Sequence, residues 1–228
     1  MLKRVSRWFA YTDMSKDSLL DQGVDSDIIT TINNTLIHNT VLSESEIPRE
    51  SHTLTYIGGL YADKRIEFLL EAAEKVKNRV PEFKLRIVGT GPLKNVVEKF
   101  AESHSWCQYE GEVYGDDRDR ILFQSTGIAM PGLVGLVAID SFHFACPILS
   151  TNCGQHSPEV AYLEHGENAM ILADEGTTDT YADMVCEFLL NSNLNEKLRQ
   201  GCRDAANTYT IDDTADRFVD GILNIKSS

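Results

Sequence analysis

The sequence predicts an α/β fold, a doubly wound parallel sheet with helices on both faces. Three observations predict it. From Thr53 onward, short apolar runs alternate with helical patterns. The strand runs are almost continuously apolar, as in strands covered on both sides. Glycines recur where strands end, at Gly58-Gly59, Gly89-Thr90-Gly91, Gly111 and Gly132 to Gly135. In open parallel sheets that rim is where ligands bind.

The elements follow in order. Thr12 or Asp13 caps a helix over Met14–Asp21 that stops at Gly23. Ile28–Ile32 is a short β-branched run broken by Asn33-Asn34-Thr35. Val41–Ser51, polar and containing Pro48, reads as a linker. This first segment is too short to bury a core of its own, so it docks on the rest or on something else. Strands are expected at Thr53–Ile57, Phe83–Val88, Trp106–Tyr109, Gly127–Met130, Pro147–Ser150 and Ala169–Leu172. Helices are expected at Arg65–Val80, Leu93–Ser103, Asp116–Gln124, Gly135–Ala145, Thr178–Leu190, Asn193–Tyr209 and Ile211–Ile225, with a short one at Pro158–Leu163. In the helix from Arg65, Ile66, Leu69, Leu70, Ala73 and Val76 share one face.

Composition bounds the function. The 228 residues fit one large α/β domain with an attached piece of another. A net charge of −14 argues against nonspecific nucleic-acid binding, which needs clustered Lys and Arg against phosphates. No apolar run approaches the roughly 20 residues of a membrane helix. The start, Met-Leu-Lys-Arg-Val-Ser-Arg-Trp-Phe-Ala, is basic and aromatic without a long apolar core, so it is not read as a signal peptide. It leaves peripheral membrane contact open. Five cysteines, with no C-x-x-C spacing, point to free thiols in a reducing cytoplasm. Cys146 and Cys153 flank an expected buried strand and are read as packing residues.

The most informative stretch runs from Met130 to Thr151, M-P-G-L-V-G-L-V-A-I-D-S-F-H-F-A-C-P-I-L-S-T. It reads as strand end, glycine turn, helix and second strand. Gly135, Leu136 and Val137 open the helix, where free N–H groups and the positive dipole end suit a diphosphate. Asp140, further in, suits ribose hydroxyls. An ordinary crossover whose glycines only shape the turn is the competing reading. Lys64 lies at the rim after the first strand of this domain, within reach of a diphosphate at Gly135; otherwise it is a solvated lysine, disfavoured at a helix start. Gly89-Thr90-Gly91-Pro92 lacks the Gly-Lys-Ser/Thr of a P-loop and reads as a pocket wall. Ser157, Pro158 and Glu159 account for the sequence after His156 as a helix start. His143 reads as a packed or partly exposed histidine, and Asp116-Asp117-Arg118-Asp119 as an acidic helix start. Metal spacings and a G-x-S-x-G elbow are absent from the sequence.

Taken in order, several segments resemble the carboxyl-terminal domain of glycosyltransferase family 4 (group 1), a Rossmann-like half of the GT-B fold. They are Tyr56-Ile-Gly-Gly-Leu-Tyr-Ala-Asp-Lys-Arg-Ile-Glu-Phe-Leu-Leu-Glu-Ala-Ala73, Leu85-Arg-Ile-Val-Gly-Thr-Gly-Pro92, Tyr109-Glu-Gly-Glu-Val113, the stretch from Met130, and His156-Ser-Pro-Glu-Val160. The resemblance runs from about Tyr11 to the end. It implies a domain that binds a UDP- or GDP-sugar, with no cofactor and no metal. The family's phosphate-binding lysine matches Lys64, and its arginine partner falls at Gly59. Its helix-opening amides match Gly135, Leu136 and Val137. Its paired glutamates fall at Gly132, which has no carboxylate, and at Asp140, which keeps one for the ribose. Gly58, Gly59, Gly89, Gly91, Gly111, Val113 and Gly132 would wall the pocket, with the Gly111–Val113 loop at the base.

On this reading residues 1–50 are a remnant of the amino-terminal domain plus linker, and 51–228 form the nucleotide-sugar-binding domain. The family's amino-terminal half supplies the acceptor site and a catalytic histidine, so no catalytic residue is assigned here. The resemblance implies the donor half of a retaining glycosyltransferase, cytoplasmic, completed by a second domain or partner chain. The alternative is a non-catalytic nucleotide-sugar-binding or regulatory module.

Overall fold

A computed structural model describes residues 5–38 and 47–225. Residues 41–46 of the expected linker, and the first four residues of the basic start, lie outside the described residues. The strands are β1 (Trp8–Ala10), β2 (Ile29–Thr31), β3 (Thr53–Ile57), β4 (Lys84–Val88), β5 (Cys107–Gly111), β6 (Gly127–Met130), β7 (Ile148–Thr151) and β8 (Ala169–Leu172). The helices are α1 (Asp13–Asp21), α2 (Ile66–Arg79), α3 (Lys94–Ser103), α4 (Gly115–Gln124), α5 (Val137–His143), α6 (Thr178–Leu190), α7 (Ser192–Ala206) and α8 (Ile211–Leu223).

Six strands form one parallel sheet in the order β5-β4-β3-β6-β7-β8. The chain winds outward from β3 to β5, returns to the middle at β6, and winds outward the other way. Crossovers between parallel strands are right-handed, so the two directions of winding put helices on opposite faces. In keeping with this, α2 packs on α6 and α5 packs on α7. Leu54, Tyr56, Leu85, Ile87, Ile128, Ile148 and Leu149 are sealed inside the sheet, which is why these strands read as unbroken apolar runs.

The expected elements are present, several with ends shifted by one to three residues, and three differences stand out. Helix α5 starts at Val137 rather than Gly135 and ends at His143, because Ala145 turns into a left-handed conformation at φ 45°. The short helix after His156 is a 3₁₀ turn over Pro158–Tyr162, and Ser157 gives it no side-chain cap. Strand β1 was not expected; three residues directly after a basic stretch carry too little pattern to announce a strand.

The amino-terminal segment docks on the rest. β1 and β2 form a two-stranded parallel sheet. The Phe9 ring packs at 4.5 Å, tilted by 37°, against Phe218 of α8. The Tyr162 hydroxyl donates to Tyr11 O and accepts from Asn34 N, both at 2.7 Å. Asn34 also donates to the buried Glu159 at 2.7 Å, so Glu159 braces this segment besides opening its turn. Thr12 caps α1 by accepting from Ser15 N. Of the five free cysteines only Cys153 is partly exposed, which corrects its reading as a packing residue.

The glycine loops lock against one another. A Cβ on Gly89, at φ +134°, would fall 1.9 Å from Gly58 O, whereas one on Gly111, at φ +69°, would meet open space. Gly89→Ala is therefore expected to cost about 3–5 kcal/mol, adding overpacking to backbone strain. Gly111→Ala is expected to cost only about 1–2 kcal/mol for its left-handed backbone. Urea unfolding of the two variants measures the difference.

Candidate donor site at the strand-order reversal

Loops that follow β3 and β6 leave the sheet where its strand order reverses, the position at which such sheets open a crevice. The loop after β3 ends in a 3₁₀ turn over Ala62–Lys64, and Arg65 then enters α2 at φ 54°. It lies directly on the loop after β6. Leu133 N donates to Asp63 O at 3.0 Å. The Lys64 ammonium donates to Leu133 O at 2.6 Å. Gly132 sits beneath this contact, where an added Cβ would come within 2.4 Å of Asp63 O and of the Lys64 carbonyl carbon. A side chain at Gly132 has no room while the two loops touch.

The expected diphosphate residues are thus brought together. Lys64 lies against the loop that leads into Gly135, Leu136 and Val137. The amides of Gly135 and Leu136 donate to no acceptor among the described residues. The loop is clamped at the preceding residue. Val134 N donates to His156 Nδ1 at 3.1 Å, and Val134 O accepts from Ser157 N at 2.9 Å. Because Nδ1 accepts, the imidazole is neutral with its proton on Nε2, which faces Thr151 O at 3.0 Å and Cys153 Sγ at 3.5 Å. Thr151 in turn donates to Pro131 O at 2.7 Å. Burial pushes the Lys64 ammonium below its ordinary value, against the opposing pull of Asp63 and Cys153.

Beside this corner lies an open cleft of about 450 Å³ between the loops after β3, β4 and β5. Gly58, Gly59, Gly89 and Val113 line it as expected, together with Tyr61, Thr90, Glu112, Tyr114 and Arg118. Three expected wall residues do not line it. Gly91 packs behind, where a Cβ would meet the Leu60 backbone at 2.7 Å. Gly111 ends β5 and accepts from Gly89 N at 2.7 Å. Gly132 underlies Lys64. Two tyrosines, Tyr56 buried and Tyr109 partly buried, pin the glycine loops: Tyr56 donates to Gly59 O at 2.6 Å and Tyr109 to Gly89 O at 2.8 Å.

Asp140 is buried on α5 rather than open to the cleft. Oδ2 accepts from Arg118 Nη2 and Oδ1 faces His38 Nε2 at 2.9 Å. Arg118, a quarter exposed, stands between Asp140 and the cleft. His38 stacks on His143 at 4.0 Å. Sequence reasoning missed both Arg118 and His38. A cation one turn into a helix among three aspartates runs against the helix dipole, and that was the available signal for Arg118. Nothing local marked His38, which reaches the site from 102 residues away in sequence. Among the described residues no group of three His, Cys, Asp or Glu stands close enough to hold a metal, and no helix is long and apolar enough to cross a membrane.

The sequence and the fold have relatives among known proteins. A family described as "Glycosyl transferases group 1" matches residues 51–191. An uncharacterized glycosyltransferase of Haemophilus influenzae is 28% identical over 143 residues, 58% of this chain and 38% of its own length. The pneumococcal O-GlcNAc transferase GtfA, solved with UDP and GlcNAc, superposes with a TM-score of 0.79 at 17% identity, covering 97% of this chain and 45% of its own. HepE of Anabaena, solved with UDP, gives 0.77 at 12% identity, covering 96% and 64%. TarM of S. aureus, solved with UDP among its ligands, gives 0.76 at 19% identity, covering 96% and 44%. The structures show the shared fold. The chain spans less than two thirds of the length of each of these proteins.

Burial pushes the His156 imidazole below its ordinary value of 6.5; the Thr151 carbonyl opposes this and the Lys64 charge adds to it. A histidine that protonates less readily when folded contributes stability above its unfolded value, and that contribution is lost as pH falls through the lower folded value. His156→Gln keeps one acceptor for Val134 and one donor for Thr151 without a titrating proton. Its melting temperature is expected to fall less steeply than the wild type's between about pH 6.5 and 5. Equal slopes in a thermal-melt pH series would count against the clamp.

Proposed function

The chain belongs to the group 1 glycosyl transferases, and on that premise we propose that it is the donor-binding part of a retaining hexosyltransferase that uses a UDP- or GDP-sugar. One observation carries this reading: the Lys64 ammonium lies on Leu133 O, in the loop where the amides of Gly135 and Leu136, just past the clamped Val134, have no protein acceptor among the described residues. An ammonium and unpaired amides converging beside a cleft suit a diphosphate.

In this proposal the diphosphate lies against Gly135, Leu136 and Val137 and is neutralised by Lys64. A diphosphate beside the half-buried ammonium relieves the cost of its desolvation. Asp140, closed off behind Arg118, orients that guanidinium in this proposal rather than touching the ribose as the sequence suggests. The base enters the cleft beside Gly58, Gly89 and Val113. As the sugar departs, negative charge grows on the leaving diphosphate, so these fixed donors act most strongly in the transition state. Retention of anomeric configuration rests on the resemblance to family 4. Lys64→Ala is expected to weaken UDP or GDP binding about tenfold, the loss of one charge-assisted contact on the order of 1.5 kcal/mol. Calorimetric titration reads this directly, and unchanged affinity would remove Lys64 from the site.

The acceptor half, in this proposal, comes from polypeptide beyond these residues, in the same chain or in a partner. Two features support it. Parallel strands are ordinarily covered on both faces and part of larger sheets, yet β1 and β2 stand as a pair. On α8, Phe218, Val219, Ile222 and Leu223 remain exposed, Leu223 at 75%. A structure of the GtfA/B complex is among the similar folds, with a TM-score of 0.79. Sugar transfer measured with and without the product of the neighbouring reading frame is expected to appear only with it. Nucleotide binding without transfer under any pairing would instead favour a non-catalytic module.

A further inference from the structure

Among the described residues, Arg118 is the one cation that lines the cleft. Its charge is already met by two carboxylates, through Nη2 to Asp140 and through Nη1 to Asp119 at 3.0 Å. Asp140 is itself held from behind by His38, whose ring is fixed between the stacked His143 and the edge-on Phe144 at 5.5 Å. The guanidinium is therefore locked in orientation, and its positive charge is offset. A compensated cation adds little attraction for a diphosphate. It remains a rigid source of directed N–H donors, since two of the five guanidinium N–H groups go to the carboxylates.

The shape of the cleft suits a flat, neutral ligand part. Gly58, Gly59 and Gly89 present backbone without side chains. Lys64 is not among the lining residues, so the diphosphate corner and the Arg118 wall are separate places. A guanidinium can donate but never accept. It favours a ring carbonyl and is left facing a second donor when that carbonyl is an amino group.

Resting on the donor-binding reading above, we propose that Arg118 reads the nucleobase of a nucleoside diphosphate and selects a keto base over the amino base of the same size. Uracil is then taken over cytosine, or guanine over adenine. Asp140 and His38 act behind it as positioning residues. The nucleobase selection comes from this chain's own α4, and a carboxamide in place of the guanidinium would erase it, because an amide can turn either an acceptor or a donor toward the ring.

Equilibrium titration of the full chain with UDP, CDP, GDP and ADP tests this. The wild type is expected to favour UDP over CDP, or GDP over ADP, by about tenfold or more. In Arg118→Gln that ratio is expected to fall to about twofold or less. In Arg118→Lys, which has only donors but no planar fork, the preference is expected to persist at an affinity lowered about fivefold. Melting temperatures establish that the variants fold. If the Gln variant does not, Arg118→Lys decides, and unchanged affinity there overturns the proposal. A wild type indifferent to the keto group, or a folded Gln variant with the full preference, also overturns it while leaving the donor site standing. A wild type that binds none of the four nucleotides overturns both.

Discussion

Backbone meets backbone where the loop after β3 crosses the loop after β6, and the rest of the site depends on that contact. The sheet reverses its strand order between these two neighbours, so their loops lead to helices on opposite faces and would otherwise splay apart. Here they are joined by the Leu133 N–H to Asp63 carbonyl bond and by the ammonium of Lys64 on Leu133 O. Gly132 makes the approach possible by having no Cβ. At this position the fold admits either a side chain or close contact between the loops. This chain has the contact, which turns an absent carboxylate, a deficit in the sequence, into a structural necessity.

A second constraint is electrostatic. Asp140 is 4% exposed at its side chain, and a carboxylate that deep is tolerated only when paired and hydrogen-bonded. Its two partners come from distant parts of the chain. Arg118 is on α4 and His38 ends the described part of the amino-terminal segment. The same segment is tied down by Tyr162, Glu159 and Tyr209 through Asn34 and Thr35. Seating that segment and satisfying Asp140 are therefore one packing problem. Residues 29–38 act as a strap across the domain, held along its length by Tyr162, Glu159 and Tyr209 and at its end by α5, where His38 meets Asp140 and His143.

The sheet was legible because its determinants are local and repeated. Strands covered on both faces must be apolar throughout, helices must be amphipathic, and each glycine turn marks a strand end. Lys64 and the Gly135–Val137 opening were legible for the same reason, being set by the ends of adjacent elements. The roles of individual glycines were not. Gly91 and Gly132 look from sequence like wall residues, but what fixes them is the backbone of Leu60 and Lys64, brought close only by the fold. The partners of Asp140 were hidden for a similar reason. A buried charge announces that it needs a counterion, but the sequence does not say which cation the topology delivers. In the sequence His156 is only the residue before a helix start, while its actual work, clamping Val134, depends on β7 lying beside β6.

An acidic chain is not a poor host for an anionic ligand, and the geometry says why. A unit charge 20 Å away through water contributes only about 0.2 kcal/mol before screening. At physiological salt the Debye length of roughly 8 Å removes most of that. The net charge of −14 is thus a weak, distant field at the corner beside Lys64. An ammonium and two amides at hydrogen-bond distance, partly withdrawn from water, act through a much lower effective dielectric, where one contact is worth several kcal/mol before desolvation is charged against it. The same reasoning separates the two cations of the site. Lys64 rests on a neutral carbonyl, whereas Arg118 has its charge met by Asp140 and Asp119. The one suits an anion, and the other suits a neutral acceptor held at a fixed angle.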